Sequence, residues 1–109
     1  MSAKIYTINE IKSNLKKLLK DTCVLKVILF GSYAKNTATE NSDLDLVIDT
    51  DGKLLGFKFF SLVTKIEELF EKDVDAFEKV EIIKGGEIEK EINRTGVVVY
   101  EKQRIWFFS

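Results

Sequence analysis

Apolar residues recur with helical spacing in three segments of the chain. The first begins at Thr7, where Thr7 and Glu10 form a capping-box signature, and it ends near Asp21. The second covers residues 58–72, and a shorter third segment, residues 87–93, ends before Gly96. The pattern therefore predicts three helices that each pack through one face. The positions expected on the first two faces are Ile8, Ile11, Leu15, Leu18 and Leu19, then Phe59, Leu62, Val63, Ile66, Leu69 and Phe70.

Four short runs rich in β-branched and aromatic residues are typical of strands. They cover residues 24–30 (VLKVILF), 44–49 (LDLVID), 74–77 (VDAF) and 97–100 (VVVY). A helix separates the second run from the third, which favours a parallel crossover between those two strands. The order of elements predicts an α+β domain.

Length and composition favour one ordinary folded domain. The chain has 109 residues, of which 45% are apolar and 32% charged. We expect a single domain over residues 1–109, with a core at about 8–100 and an apolar tail at 101–109. The tail carries Ile105, Trp106, Phe107 and Phe108, and either covers its own core or forms an interface with a partner.

Charge and hydropathy disfavour several kinds of partner. The formal net charge of −1 provides no general basic field, so nucleic acid is not expected as a direct ligand, and only a local patch such as Lys16, Lys17 and Lys20 leaves that alternative open. No apolar run approaches the roughly 20 residues that a membrane helix needs. We therefore expect a cytoplasmic protein that does not bind a membrane.

The chain has no histidine and one cysteine, Cys23. This composition excludes a Ser-His-Asp triad, a Cys-His pair and the usual zinc sites. Catalysis would have to depend on carboxylates, Lys, Ser, Tyr or a metal. Cys23 lies beside an apolar run, where a buried structural thiol is expected.

The most informative segment is 31–45 (GSYAKNTATENSDLD), which ends in Asp43-Leu44-Asp45. Residues two apart on a strand point to the same face, so Asp43 and Asp45 can direct both carboxylates at one site. Like charges so close require a shared proton, a basic partner or a bound cation. Mg²⁺ prefers hard oxygen ligands and substrate phosphates, so the sequence favours a bound Mg²⁺ ion to offset the repulsion between the two carboxylates.

Gly31 and Ser32 supply the other half of a phosphate site. Gly31 allows a phosphate to approach the main chain, and Ser32 offers a hydroxyl. The end of one strand can meet the start of the next only if the two strands run antiparallel. With the parallel crossover, this arrangement predicts a mixed sheet with helices packed against it.

The spacing Gly-Ser, ten residues, Asp-x-Asp resembles the signature of the DNA-polymerase-β-like nucleotidyltransferases, and most of all the minimal nucleotidyltransferases. The wording Ser-Asp-x-Asp-Leu at residues 42–46 also fits that family. The resemblance implies the polymerase-β-like fold and a third carboxylate on a later strand, where Val74-Asp75 occupies the corresponding place. Asp73 is the competing position, although a solvated carboxylate is expected at a helix end.

One departure from the family pattern concerns residues 34–36. The family often has Ala-Arg-Gly there, whereas this chain has Ala34-Lys35-Asn36. Asn36 tolerates the left-handed conformation of Gly, and Lys35 keeps a charge for a nucleotide phosphate without the bidentate fork of Arg. Tyr33 either contacts the nucleotide by stacking on its base or packs in the core.

The resemblance implies an enzyme that transfers AMP from ATP, or a nucleotide from another NTP. Asp43 and Asp45 would bridge two Mg²⁺ ions, Asp75 would hold the second, and Gly31 and Ser32 would hold the β and γ phosphates. Many relatives of this kind are antitoxins that adenylylate a tyrosine of a HEPN ribonuclease toxin, which implies a hetero-oligomer. The alternative is a protein with a vestigial site that neutralises or scaffolds its partner by binding only. Transfer to a small molecule is disfavoured because the chain lacks room for an acceptor domain.

Overall fold

The computed structural model describes residues 4–103, which form four helices and a four-stranded sheet. Each helix and strand predicted from the sequence is present, with ends that shift by a few residues. In chain order the elements are α1 (Ile8–Leu19), β1 (Lys26–Phe30), α2 (Gly31–Ala34), β2 (Leu44–Asp49), α3 (Phe57–Phe70), β3 (Val74–Glu78), a 3-10 turn (Lys79–Glu81), α4 (Glu87–Thr95) and β4 (Val97–Glu101).

The sheet is mixed, as the sequence predicts, with the strand order β3-β2-β1-β4. β1 pairs with β2 in the antiparallel sense, which sets Phe30 opposite Asp45. β2 pairs with β3 in the parallel sense through the α3 crossover, which sets Asp45 opposite Asp75. The end of β1 and the starts of β2 and β3 therefore meet at one end of the sheet.

The hydrophobic core lies between the sheet and the inner faces of α1 and α3. Burying a large aliphatic side chain contributes about 1.5 to 3 kcal/mol, so these faces account for much of the stability. Leu69 was expected on the packing face of α3 but is 37% exposed, because it lies at the margin of that face. The fully or nearly buried residues of α1 and α3 are Ile11, Leu15, Leu19, Leu62, Ile66 and Phe70.

Local backbone signals in the sequence are confirmed at two places. Thr7 caps α1 with both bonds of a capping box: the Glu10 amide donates to Thr7 Oγ1 (3.1 Å), and the Thr7 amide donates to Glu10 Oε1 (2.9 Å). Asn36 has φ of 60°, the left-handed conformation that its residue type tolerates.

A buried carboxylate connects the end of β3 to the turn after β2. Glu78 is 1% exposed and accepts hydrogen bonds from the hydroxyl of Thr50 and from the amides of Gly52 (2.9 Å) and Val80 (2.9 Å). Thr50 Oγ1 in turn accepts from the Leu54 amide (3.1 Å). These three hydrogen bonds replace the hydration that the Glu78 carboxylate loses on burial. They therefore stabilise the end of the sheet opposite Gly31.

None of the helices within residues 4–103 has the length and apolarity needed to cross a bilayer. The tail residues Ile105 to Ser109, for which the sequence leaves two alternatives, lie outside the described residues.

Candidate functional site

Three carboxylates gather at the end of the sheet where β1 finishes. Asp45 is the second residue of β2 and its partner in the register with β3 is Asp75. Asp43 immediately precedes β2, whose bounds are those predicted from the sequence, so Asp43 lies one residue outside the strand. Asp45 is half-buried, whereas Asp43 and Asp75 are exposed. The parallel pairing of β2 and β3 thus brings together residues thirty positions apart in the sequence.

Gly31 leaves room for the Asp45 side chain. A Cβ atom on Gly31 would overlap Asp45 Oδ2, and Gly31 also has φ of +74°, a conformation that other residues rarely adopt. From the sequence, Gly31 was interpreted as an approach point for phosphate. The structure adds a requirement that the sequence did not reveal, because the antiparallel register places the Asp45 carboxylate against the glycine backbone.

The electrostatic environment of Asp45 is strongly negative. Burial raises the pKa of Asp45 from its ordinary value of 3.8 to about 6, and the charges of Asp75, Asp43 and Glu91 contribute in that order. Asp45 is therefore partly protonated near pH 6 when no cation is bound. A cation among these carboxylates would favour the ionised form.

The donor set fits a hard divalent cation. Carboxylate oxygens are the ligands that Mg²⁺ prefers, and Asp43, Asp45 and Asp75 supply them. Within residues 4–103, no three acidic, histidine or cysteine side chains are close enough to enclose a metal by themselves. Mg²⁺ is usually held by one or two carboxylates and completed by water and substrate phosphates, so a full protein cage is not required.

The start of β3, which carries Asp75, is held by backbone and side-chain contacts. The Val74 amide donates to Glu67 Oε2 of α3 (3.1 Å), and the Leu44 amide donates to the Asp73 carbonyl (3.1 Å). Helical periodicity alone favours a solvated position for Glu67, on the polar side of α3. Its hydrogen bond instead fixes the residue before Asp75, which sequence periodicity could not show because the bond joins a helix to a strand.

Glu91 of α4 is a fourth acidic group near the site. Its charge contributes to the raised pKa of Asp45. The Arg94 guanidinium donates to Glu91 and lowers the pKa of the Glu91 carboxyl, and the Lys35 charge acts in the same direction. The structure therefore sets a pair of basic groups, Arg94 and Lys35, beside the acidic cluster.

The nucleotide-binding candidates differ in their accessibility. Ser32 is half-buried, and its hydroxyl makes no hydrogen bond with any residue between 4 and 103. Lys35 is exposed at the end of α2. Tyr33 is only 3% exposed and packs in the hydrophobic core, so its ring is not available to stack on a base. Of the two sequence-based alternatives for Tyr33, the structure favours packing.

Comparison with protein families and curated proteins identifies relatives. Residues 9–105 match the family described as "Polymerase beta, Nucleotidyltransferase". Two proteins of Methanocaldococcus jannaschii are similar over most of the chain. "Putative protein adenylyltransferase MJ0126" is 40% identical over 77 residues, which cover 67% of this chain and 79% of the relative. "Putative protein adenylyltransferase MJ0128" is 41% identical over 73 residues, covering 63% and 74%.

Two solved structures share the fold at low sequence identity. A structure titled "Crystal structure of the toxin-antitoxin with AMP-PNP" matches with a TM-score of 0.70 and 22% identity, covering 84% of this chain and 74% of that one. A structure of a tri-AMPylated Shewanella oneidensis HEPN toxin in complex with MNT antitoxin matches with a TM-score of 0.67 and 18% identity, covering 88% and 74%. These matches agree with the mixed sheet and helices described above.

Proposed function

We propose that this chain, which belongs to the polymerase beta nucleotidyltransferase family, is a Mg²⁺-dependent protein adenylyltransferase that modifies a tyrosine of a HEPN toxin partner. The observation that carries the proposal is the register that unites Asp45 with Asp75 beside Asp43 and Gly31. The names of the relatives and the contents of the similar crystal structures support ATP and a toxin as its substrates.

In the proposed reaction, a hydroxyl oxygen of the acceptor attacks the α-phosphorus of ATP. A new oxygen–phosphorus bond forms, the bond between the α-phosphorus and the bridging oxygen breaks, and pyrophosphate leaves with the electron pair. The hydroxyl proton passes to a carboxylate of the site or to water. No oxidant or reductant is needed.

Each residue of the site would have its own role in the reaction. The family typically uses a divalent metal, and two Mg²⁺ ions would neutralise the triphosphate and the developing charge at the α-phosphorus. Asp43 and Asp45 would hold both cations, and Asp75 would help to hold the second cation beside the attacking hydroxyl. The free Ser32 hydroxyl and the exposed Lys35 would bind the β and γ phosphates.

Adenylylation would inactivate the partner by a simple electrostatic route. A nucleotide phosphate on a toxin tyrosine places negative charge in a site that must bind RNA phosphates. Because ATP and the ribonuclease target both occur in the cytoplasm, we propose that the protein acts there. The two proteins would have to form a hetero-complex at least during the transfer.

The direct test mixes the chain with its co-expressed partner, Mg²⁺ and each NTP in turn, and examines the partner by mass spectrometry. We expect the mass of AMP on a partner tyrosine with ATP and wild type, and none with Asp45→Asn. Asp73→Asn is the matched control, because it removes an exposed carboxylate two residues from Asp75 and should preserve transfer.

The result also separates transfer from the binding-only alternative. A partner that stays unmodified, yet is neutralised equally by wild type and Asp45→Asn, would refute catalysis and favour a vestigial site. A partner modified equally by both forms would refute the assignment of the carboxylates.

A further inference from the structure

A groove separate from the carboxylate site runs between α1 and β4. Its volume is about 480 Å³, and its α1 wall consists of Lys12, Lys16 and Lys20. The opposite wall includes every residue from Val98 to Gln103. β1, the neighbour of β4 in the sheet, contributes no residue to this lining, so the groove lies on the outer side of β4.

β4 is the last strand of the sheet on that side. Within residues 4–103 it pairs with β1 alone, so its outer main-chain groups have no strand partner there. An edge of this kind is a template for an additional strand. Val98, at the start of the groove, is also 41% exposed.

The groove carries uncompensated positive charge. Lys12, Lys16 and Lys20 are exposed, and no carboxylate within residues 4–103 forms an ion pair with them. Glu101 also lines the groove, but its carboxylate lies 3.9 Å from Lys26 Nζ on β1. The charge of the walls thus favours an acidic occupant.

The spacing of the lysines matches an extended peptide. Four residues of a helix rise about 6 Å, and two residues of a strand advance about 6.6 Å. Three lysines four residues apart would therefore face every second side chain of a strand added to β4. An acidic helix with carboxylates four residues apart would have the same spacing, so the unpaired edge of β4 is the feature that favours an extended occupant.

Two hydrogen bonds join the walls of the groove before any partner binds. The Tyr100 hydroxyl donates to the Leu19 carbonyl (3.2 Å), and Lys102 Nζ donates to the Thr22 carbonyl (2.8 Å). The groove is therefore preformed, which reduces the entropy that a ligand must lose on binding.

We infer that this groove binds an extended segment of a partner protein that has acidic residues at alternate positions and adds a fifth strand to the sheet beside β4. The overall charge of −1 and the strand edge disfavour nucleic acid as the occupant. The inference does not depend on nucleotidyl transfer, since the groove contains none of the carboxylates of the proposed catalytic site.

The test uses the full chain and an octapeptide of alternating Glu and Val, observed by amide NMR chemical shifts. We expect the largest shifts at residues 98–103. The combined variant Lys12→Glu, Lys16→Glu, Lys20→Glu should weaken binding about tenfold or more, since each exposed ion pair contributes a few-fold. If the Glu variant does not fold, the variant Lys12→Gln, Lys16→Gln, Lys20→Gln replaces it in the same binding measurement and should also weaken binding.

Matched controls separate this site from general charge attraction. Lys53→Glu, Lys58→Glu, Lys65→Glu changes the net charge equally at exposed positions elsewhere, and it should retain most of the binding. An alternating Lys and Val peptide should not bind. Glu-Val peptides N-methylated at every second residue, made in both frames, should lose binding in the frame that blocks pairing with β4.

Four results would overturn the inference. They are failure of the Glu-Val peptide to bind at millimolar concentration, equal binding of both N-methylated frames, and lysine-dependent binding of a single-stranded oligothymidylate in place of the peptide. The fourth is peptide binding only after deletion of residues 104–109, which would assign the groove to the chain's own tail.

Discussion

Replacing Asp45 by Asn should stabilise the protein at neutral pH in the absence of metal. The substitution keeps the shape of the side chain and removes a half-buried charge that is opposed by Asp75, Asp43 and Glu91. The Asp45 side chain makes no hydrogen bond with any residue from 4 to 103, so the amide of Asn disrupts no side-chain network there. The Asp45 carboxylate, which is proposed to be catalytic, would thus make the wild type less stable than the Asn variant.

The magnitude follows from the pKa of Asp45. A rise from 3.8 to about 6 corresponds to at most about 3 kcal/mol of unfavourable free energy for the ionised form. Solvent screens a side chain that is only half-buried, so we expect about 1 kcal/mol. For a domain of this size that gain raises the melting temperature by about 5 °C.

The raised pKa of Asp45 also determines how the stability of the wild type changes with pH. The folded state keeps the Asp45 proton up to pH about 6, whereas the unfolded state releases it near 3.8. Between these values the folded state binds more protons, so wild-type stability falls as the pH rises through this window. The advantage of Asp45→Asn should be complete above pH 6 and should vanish below pH 4.

The assay is thermal unfolding in EDTA at several pH values, followed by the same series in Mg²⁺. Mg²⁺ should stabilise wild type more than Asp45→Asn, because a ligand stabilises only the form that binds it. Asp73→Asn is the control and should show no gain at neutral pH. An Asp45→Asn variant that melts at or below the wild-type temperature at every pH would refute the electrostatic reasoning.

Three further predictions concern turnover and the fold. Asp75→Asn should reduce turnover far more than ATP binding, as measured by single-turnover kinetics and calorimetry, whereas Asp73→Asn should change neither. Gly31→Ala should abolish transfer and lower the melting temperature, because the added methyl group would overlap the Asp45 carboxylate. Gly85→Ala is the control: Gly85 has φ of +78° and no neighbour within 4 Å, so the substitution should cause only backbone strain. Glu78→Gln should lower the free energy of unfolding in urea by about 2 kcal/mol, because one of the donors to this buried group loses its acceptor.

Contrary results are equally clear. Small and equal effects of Asp73→Asn and Asp75→Asn on turnover would place the third carboxylate elsewhere. Equal losses in Gly31→Ala and Gly85→Ala would mean that backbone strain alone explains the first. Glu81→Gln changes an exposed carboxylate and is the control. If Glu78→Gln had the same free energy of unfolding as Glu81→Gln, the hydrogen bonds to Glu78 would not stabilise the fold.

The confirmed parts of the fold are those encoded by neighbouring residues. The capping box at Thr7, the left-handed Asn36 and the periodic faces of α1 and α3 depend on contacts within a turn or two of chain. The antiparallel direction of the first two strands was predicted from the joining of the Gly-Ser and Asp-x-Asp segments in one site, and the parallel direction of the next two from the helix between them. These features have short-range physical causes and can be read from the sequence.

Contacts between distant segments required the tertiary structure. Asp45 meets Asp75 only because of the register between β2 and β3, and Glu91 reaches this site only because of where α4 packs. The exclusion of Tyr33 from a base-stacking role likewise follows from its burial. Residue type and periodicity leave these features open, because they state which face a side chain occupies and not what lies opposite it.

The sequence by itself determined the helices, the strands, their directions and a pair of carboxylates next to a Gly-Ser turn. The tertiary structure decided that β4 joins the sheet beside β1, that its outer edge faces the lysines of α1, and that Gly31 must be glycine to admit Asp45. The physical reason is the range of the interactions. Caps, turns and hydrophobic periodicity act over a few residues, whereas sheet order, register and charge repulsion depend on groups that only folding brings together.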